Sequence, residues 1–152
     1  MPRIHRVMRM ENERPAVGPS ATTLGVRTAS GPNDPAPDIV PDGKGDVTPA
    51  TGGMSVSPSL SVLLSRLPAR MIPRRLRQIA PKAAGNDNLS AWAMGDGAFV
   101  ASEIADKLAL RPDPEDNGHG FVEPDAEMSL QSYRAALEAT RDQWQVDERN
   151  IP

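Results

Sequence analysis

Sixteen prolines divide this chain into short runs, and more than any other feature they limit what it can fold into. Each proline fixes its own φ and removes a backbone donor, so it is kept out of helix interiors and central ladder positions. With twelve glycines besides, the chain reads as rich in loops and turns, with at least one disordered stretch. The core has to be built largely from aliphatic side chains, because aromatic residues are 3% of the total and hydrophobic residues 38%. A length of 152 residues allows one domain, read here as a compact core of about 100 residues behind a loose amino-terminal arm.

The arm is expected over residues 1–22, which are charged at first and then carry Pro15, Gly18, Pro19 and Ser20. A single α+β domain is expected over residues 23–146, and a flexible tail over residues 147–152. Residues 22–28 suggest a short first strand, weakened by Gly25. Residues 30–46, with Pro32, Pro35, Pro37 and Pro41, read as extended loop and turn. Extended backbone follows around the Gly52-Gly53 turn. Ser57-Pro58 reads as a helix start, serine capping and proline at the first helical position. Leu60, Leu63, Leu64 and Leu67 then recur on one helical face, and Pro68 ends the run. Residues 68–88 form a long basic loop. Residues 89–94 alternate apolar and small residues and read as a strand. Val100, Ile104 and Leu108 fit either a helix face or a strand-loop-strand unit. Arg111-Pro112-Asp113-Pro114 marks a break, and Gly120-Phe121-Val122 a buried strand. The clearest helix comes last, capped by Ser129, with Leu130, Tyr133, Leu137, Thr140 and Trp144 in one stripe.

Composition excludes several classes of function. Cysteine is absent, so there is neither a disulfide framework nor a thiolate metal site. The histidines are His5 and His119 alone, too few for a histidine cluster, and no metal site is expected. No segment has the apolar length of a membrane span. The basic opening Met1-Pro2-Arg3-Ile4-His5-Arg6 is not followed by the apolar run of a secretory signal, so a cytoplasmic location in the producing cell is expected, with any export by another route. Formal net charge is −3, but it is unevenly spread. Residues 66–82 carry Arg66, Arg70, Arg74, Arg75, Arg77 and Lys82 with no acid, and acids dominate from Asp87 onward. Either the basic loop pairs internally with the acidic carboxy-terminal half, or it faces phosphate or nucleic acid. No aromatic residue interleaves the arginines, which weakens the nucleic-acid alternative.

Two blocks carry the candidate chemistry. Thr51-Gly52-Gly53-Met54-Ser55-Val56 is a glycine turn followed by a hydroxyl, a pattern that permits close backbone approach. Gly118-His119-Gly120-Phe121-Val122-Glu123-Pro124 offers an imidazole flanked by glycines on a strand-like segment. Ser55 is either a strand serine with a satisfied hydroxyl or a hydroxyl that orients a ligand. His119 is either structural or suited to a hydrogen bond with a ribose or carboxamide, or to acid–base work. Glu123, four residues on, shares a face with His119 if the segment is extended. Arg27 is a candidate anion contact, and Glu103 a weaker acid. The turn is neither a P-loop nor a dinucleotide fingerprint, since the following lysine and the Gly-x-Gly-x-x-Gly spacing are missing. No Gly-x-Ser-x-Gly elbow surrounds Ser55.

Taken together, Ala36-Pro37-Asp38-Ile39-Val40, the turn at residues 51–56, and His119 with Pro124 five residues on resemble the small bacterial type VI secretion toxins with an ADP-ribosyltransferase-like fold. Ser55 matches that family's second hydroxyl and His119 its histidine. Met54 stands where the family has its first hydroxyl. Arg27 corresponds to its first-strand arginine, at a shorter spacing. The resemblance implies a split, bent β-core with flanking helices and a cleft for NAD. Ser55, His119 and Glu123 would be catalytic; Arg27, Gly52, Gly53, Ser55 and His119 would bind the cofactor. It also implies an intracellular protein or nucleic-acid acceptor and a cognate immunity protein. A non-catalytic binding or accessory protein that keeps the fold is the alternative.

Overall fold

The computed structural model describes residues 1–28 and 36–148. The turn expected around Pro32 and Pro35, and residues 149–152 of the expected tail, lie outside the described residues. In chain order the strands are β1 (Ile4–Glu11), β2 (Arg14–Pro15), β3 (Asp46–Val47), β4 (Met54–Val56), β5 (Leu89–Met94), β6 (Ser102–Ala105), β7 (Leu108–Pro112), β8 (Gly120–Pro124), β9 (Met128–Ser129) and β10 (Gln145–Val146). Helix α1 (Leu60–Arg66) follows β4, and α2 (Leu130–Ala139) follows β9.

The β-core is split. One antiparallel sheet has the order β10-β5-β1-β2, the other β4-β8-β7-β6, and β3 pairs with β9 alone. The two large sheets meet where His5 and Ser57 exchange backbone hydrogen bonds of 2.9 Å each. Between the sheets lies the main core, with Ile4, Met8, Trp92, Met54, Val56, Leu110, Val122, Tyr133 and Leu137. A second cluster, Val7, Leu64, Ile72, Leu76, Leu89 and Ala91, packs α1 and the basic segment against the β1–β5 pair. The fold is α+β, as expected.

The amino-terminal arm is not disordered. Residues 4–11 form the longest strand, β1, which lies between β5 and β2 and is buried from Ile4 through Met8. Charge in a short segment ordinarily means solvent, and that is why the sequence alone suggests a loose arm. Here the two titratable side chains that are buried, His5 and Arg6, are satisfied by partners distant in the chain. The Arg6 guanidinium donates to the carbonyls of Thr23, Ser55 and Ser20, and His5 faces Asp147. Residues 147 and 148 of the expected tail are likewise held in place. Asp147 donates its N–H to Ala91 O at 2.8 Å, and the Glu148 carboxylate accepts from Ala91 N–H and from Arg75.

Local signals fared best where no distant partner competed. Ser129 caps α2 by accepting from Ser132 N–H, and Tyr133, Ala136 and Leu137 form its buried face. The stripe does not continue as α-helix to Trp144. One 3₁₀ turn, Arg141–Gln143, brings Trp144 into the core, where its Nε1–H donates to Thr140 Oγ1 at 3.0 Å. Helix α1 starts two residues later than expected, with Ser59 as cap, because Ser57 is held by β1. Residues 22–28 form no strand; Thr23, Leu24 and Val26 are nevertheless buried. The ambiguous run at residues 100–112 resolves into the β6–β7 hairpin, and Pro112 ends β7 rather than breaking the chain before it. The basic segment pairs internally at three points: Arg66 with Asp116, Arg74 with Asp87, and Arg75 with both Asp87 and Glu148.

Candidate functional site

The glycine turn is a backbone junction. Gly52 and Gly53 have φ of +128° and +156°, conformations that side chains with a Cβ rarely adopt. A Cβ on Gly52 would lie 2.2 Å from Asp38 O, and one on Gly53 2.5 Å from Val122 O. Gly53 N–H donates to Asp38 O at 2.9 Å, and Gly52 bridges Ile39. The Ala36–Val40 block and the glycine block are therefore laid against each other, with β8 on the far side. Neither glycine lines the cavity described next; both serve to set β4 against β8.

That placement decides which side chains of β4 are open. Met54 and Val56 are each 1% exposed and enter the core, while Ser55 between them faces outward. Met54, at the position of the first hydroxyl, is thus a core residue whose N–H donates to the Tyr133 hydroxyl. Ser55 stands opposite Phe121 of β8. His119, two residues before Phe121, lies edge-on to its ring with centroids 4.6 Å apart.

Ser55, His119 and Arg27 line one cavity of about 290 Å³. Leu63 of α1 and Leu67 just past its end, with Met71, form an apolar wall. Arg6, Asp38, Arg66 and Asp116 supply the remaining charges. Three arginines against two aspartates leave the wall with one excess positive charge.

Arg6 is the residue that sequence reading missed. It is 4% exposed and forms no salt bridge among the described residues, its guanidinium being held by neutral carbonyls. Burial lowers its pKa to about 10, partly offset by the charge of Asp38, so it stays cationic at neutral pH. A buried cation hydrogen-bonded to neutral carbonyls makes an adjoining cavity attractive to an anion. The available signal was the run of apolar positions Ile4, Val7 and Met8 around it, which the charges obscured.

Arg27 reaches the cavity from a loop rather than from a first strand. Its N–H donates to Asp38 Oδ2 at 2.7 Å and its Nη2 to Oδ1 at 3.4 Å. Its Nε is buried without a hydrogen-bond partner among the described residues. Asp116 pairs with Arg66 and also accepts from Gly118 N–H. Hydrogen bonds from Arg66 and Gly118 hold its carboxyl below the usual carboxylate range.

Glu123 is not brought to the cavity. It accepts from Arg111 Nε at 2.9 Å and from Ala50 N–H at 2.8 Å. Arg111 in turn lies over Phe121, 4.4 Å from the ring centroid. The shared face expected for His119 and Glu123 is present, and Phe121 and Arg111 occupy the space between them. Glu103 is exposed on β6, at the far edge of that sheet.

Away from the cavity, Asp42, Asp46 and Glu127 bring one oxygen each within 4.8 Å of one another. Asp42 Oδ1 already accepts from the Lys44 and Asp46 amides. No helix among the described residues is long and apolar enough to cross a membrane. No family model matches the chain, and no curated protein matches its sequence.

Proposed function

We propose that the protein is an NAD-using toxin of the ADP-ribosyltransferase-like type, with its ligand held in the cavity between β4, α1 and His119. One observation carries this reading: Ser55, His119 and Arg27, chosen from separate stretches of sequence, line a single hollow with an excess positive charge. A diphosphate-bearing ligand complements that wall. In such chemistry the nicotinamide–ribose bond breaks through a cation-like sugar, and fixed groups around the ribose must hold it in place. Ser55 and His119 are the hydrogen-bonding groups suited to orient it, and Arg27 and Arg6 the ones suited to a phosphate. At about 290 Å³ the cavity is close to the smallest ligand pockets, roughly 300 Å³. It would therefore take one part of a dinucleotide.

Glu123 is committed to Arg111 and Ala50, and Asp38 and Asp116 are paired with arginines. This favours a second reading, a protein that binds such a ligand without turning it over. In the toxin reading the protein is made in the cytoplasm, acts on a protein or nucleic acid in the target cell, and is held inactive in its maker by an immunity protein.

Cytosolic expression separates the readings. Wild type is expected to arrest growth and to deplete NAD, and folded Ser55→Ala and His119→Ala variants to lose both effects. Equal growth arrest by all three proteins contradicts the assignment of the cavity. Binding of NAD without its consumption selects the non-catalytic reading.

A further inference from the structure

The connection from β7 to β8 folds back on itself and sets His119 against Asp113. Three backbone hydrogen bonds close it: Asp113 N–H to His119 O at 2.9 Å, Asp116 N–H to Asp113 O at 3.3 Å, and His119 N–H to Asp116 O at 3.1 Å. Within this closed loop, His119 Nδ1 lies 3.0 Å from Asp113 Oδ2. An ionised carboxylate can only accept, so the proton of this bond belongs to Nδ1. The hydrogen bonds from His119 and from the Glu115 amide hold the Asp113 carboxyl below the usual range, which keeps it an acceptor.

The ring plane is fixed from a second direction. Phe121 meets the imidazole at an interplanar angle of 76°. Phe121 is covered by the Arg111 guanidinium, and Arg111 is held by Glu123. Glu123, expected to be catalytic, is thus the far anchor of a stack that supports His119. With Nδ1 engaged, the remaining nitrogen, Nε2, has no hydrogen-bond partner among the described residues, and His119 lines the cavity.

We propose that Asp113 is a positioning residue that keeps a proton on Nδ1 of the His119 ring. The ring then offers Nε2 to the cavity as a hydrogen-bond acceptor. The ligand must meet it with a donor, a sugar hydroxyl or a carboxamide N–H. This inference rests on the reading of the cavity as a ligand site, but its first test needs no ligand.

The test is ¹⁵N NMR of the imidazole nitrogens at a pH of about 8, above the ordinary imidazole range. The His119 signals are assigned by their loss in His119→Gln. Wild type is expected to show His119 with Nδ1 protonated and Nε2 bare. In Asp113→Asn the carboxamide can donate as well as accept, so the ring is expected to shift toward the opposite tautomer. NAD is then added to both proteins. Wild type is expected to show a perturbed Nε2 signal, and Asp113→Asn to bind about tenfold more weakly, the cost of one hydrogen bond. A wild-type ring protonated on Nε2 overturns the proposal whatever NAD does. An unchanged tautomer in Asp113→Asn overturns the role of Asp113. The expected tautomers without any response to NAD uphold the positioning role and overturn NAD as the ligand.

Discussion

Each histidine of this chain faces an aspartate, and the two pairs do opposite work. His5 lies in β1, 5% exposed, with Nε2 3.3 Å from Asp147 Oδ2 and Nδ1 buried without a partner among the described residues. Arg3 shares the same carboxylate at 2.9 Å. This pair clamps the first strand to the carboxy-terminal segment. His119 sits at the end of a loop on a cavity wall, with Nδ1 held by Asp113 and the ring propped on Phe121. What distinguishes them is the surroundings of the second nitrogen. For His5 it is sealed in protein. For His119 it belongs to a ring that borders a hollow. The same two residue types therefore serve the fold in one place and a candidate site in the other.

The comparison is broken most readily at β1, where the largest effect is expected. Arg6→Ala removes the donor that satisfies the carbonyls of Thr23, Ser55 and Ser20. It should destabilise the protein by about 3–5 kcal/mol. Urea midpoints check this, and a loss below about 1 kcal/mol would show that β1 does not carry the load assigned to it. Gly53→Ala comes next. It forces a Cβ to within 2.5 Å of Val122 O at a φ of +156°, with an expected loss of about 2–4 kcal/mol. Because that junction sets Ser55 against β8, the same variant should weaken ligand binding even under conditions where it folds.

A smaller effect appears in the pH dependence of stability. Burial lowers the pKa of His5, a shift that its hydrogen bond to Asp147 only partly offsets. The unfolded chain therefore binds this proton more readily than the folded protein does. Stability from this group is full above the ordinary imidazole value of about 6.5. It is lost as pH falls through that value toward the lower folded one. Burial pushes the Asp147 carboxyl up, but Arg3 and His5 outweigh it and hold it low. Its contribution is accordingly lost only in stronger acid, below about pH 3.9. His5→Gln should flatten the dependence between pH values of about 7.5 and 5.5, as read from denaturant midpoints at each pH. An unchanged slope would show that His5 is not what the acid limb reports.

The smallest stability effects belong to the cavity. Ser55→Ala and Asp113→Asn should each shift the unfolding free energy by less than about 1 kcal/mol while altering ligand binding or the His119 tautomer. Thermal or urea unfolding beside NAD titration checks both halves. A large loss of stability in either variant would place that residue with His5 as a structural group.

The parts legible in the sequence were those built on neighbours. Ser129 and the buried run Tyr133, Ala136 and Leu137 make α2 from contacts within a few residues. The leucines of α1 follow from periodicity in the same way, and the strands at β5 and β8 from short runs of apolar and small residues. Two blocks of the candidate site were legible for a related reason: their glycines mark places where other groups pack close, backbone at Gly52 and Gly53 and the side chains of Arg66, Val62 and Phe99 at Gly118 and Gly120. The start of α1 was misplaced because Ser57 is taken by His5, fifty-two positions earlier in the chain. Strand β1 was illegible because the partners that make Arg6 and His5 acceptable inside lie at Thr23, Ser55 and Asp147.

By itself, then, the order of residues settled the class of the fold, its clearest helix and two glycine-marked blocks, because propensity, capping and periodicity act over one or two turns of chain. Tertiary structure alone decided that the opening segment is a central strand, that Ser55, His119, Arg27 and Arg6 border one cavity, and that Glu123 props the site instead of entering it. Those outcomes turn on which distant carbonyl or carboxylate satisfies a buried charge. Spacing along the chain does not encode that, since the partners meet only when the sheets pack.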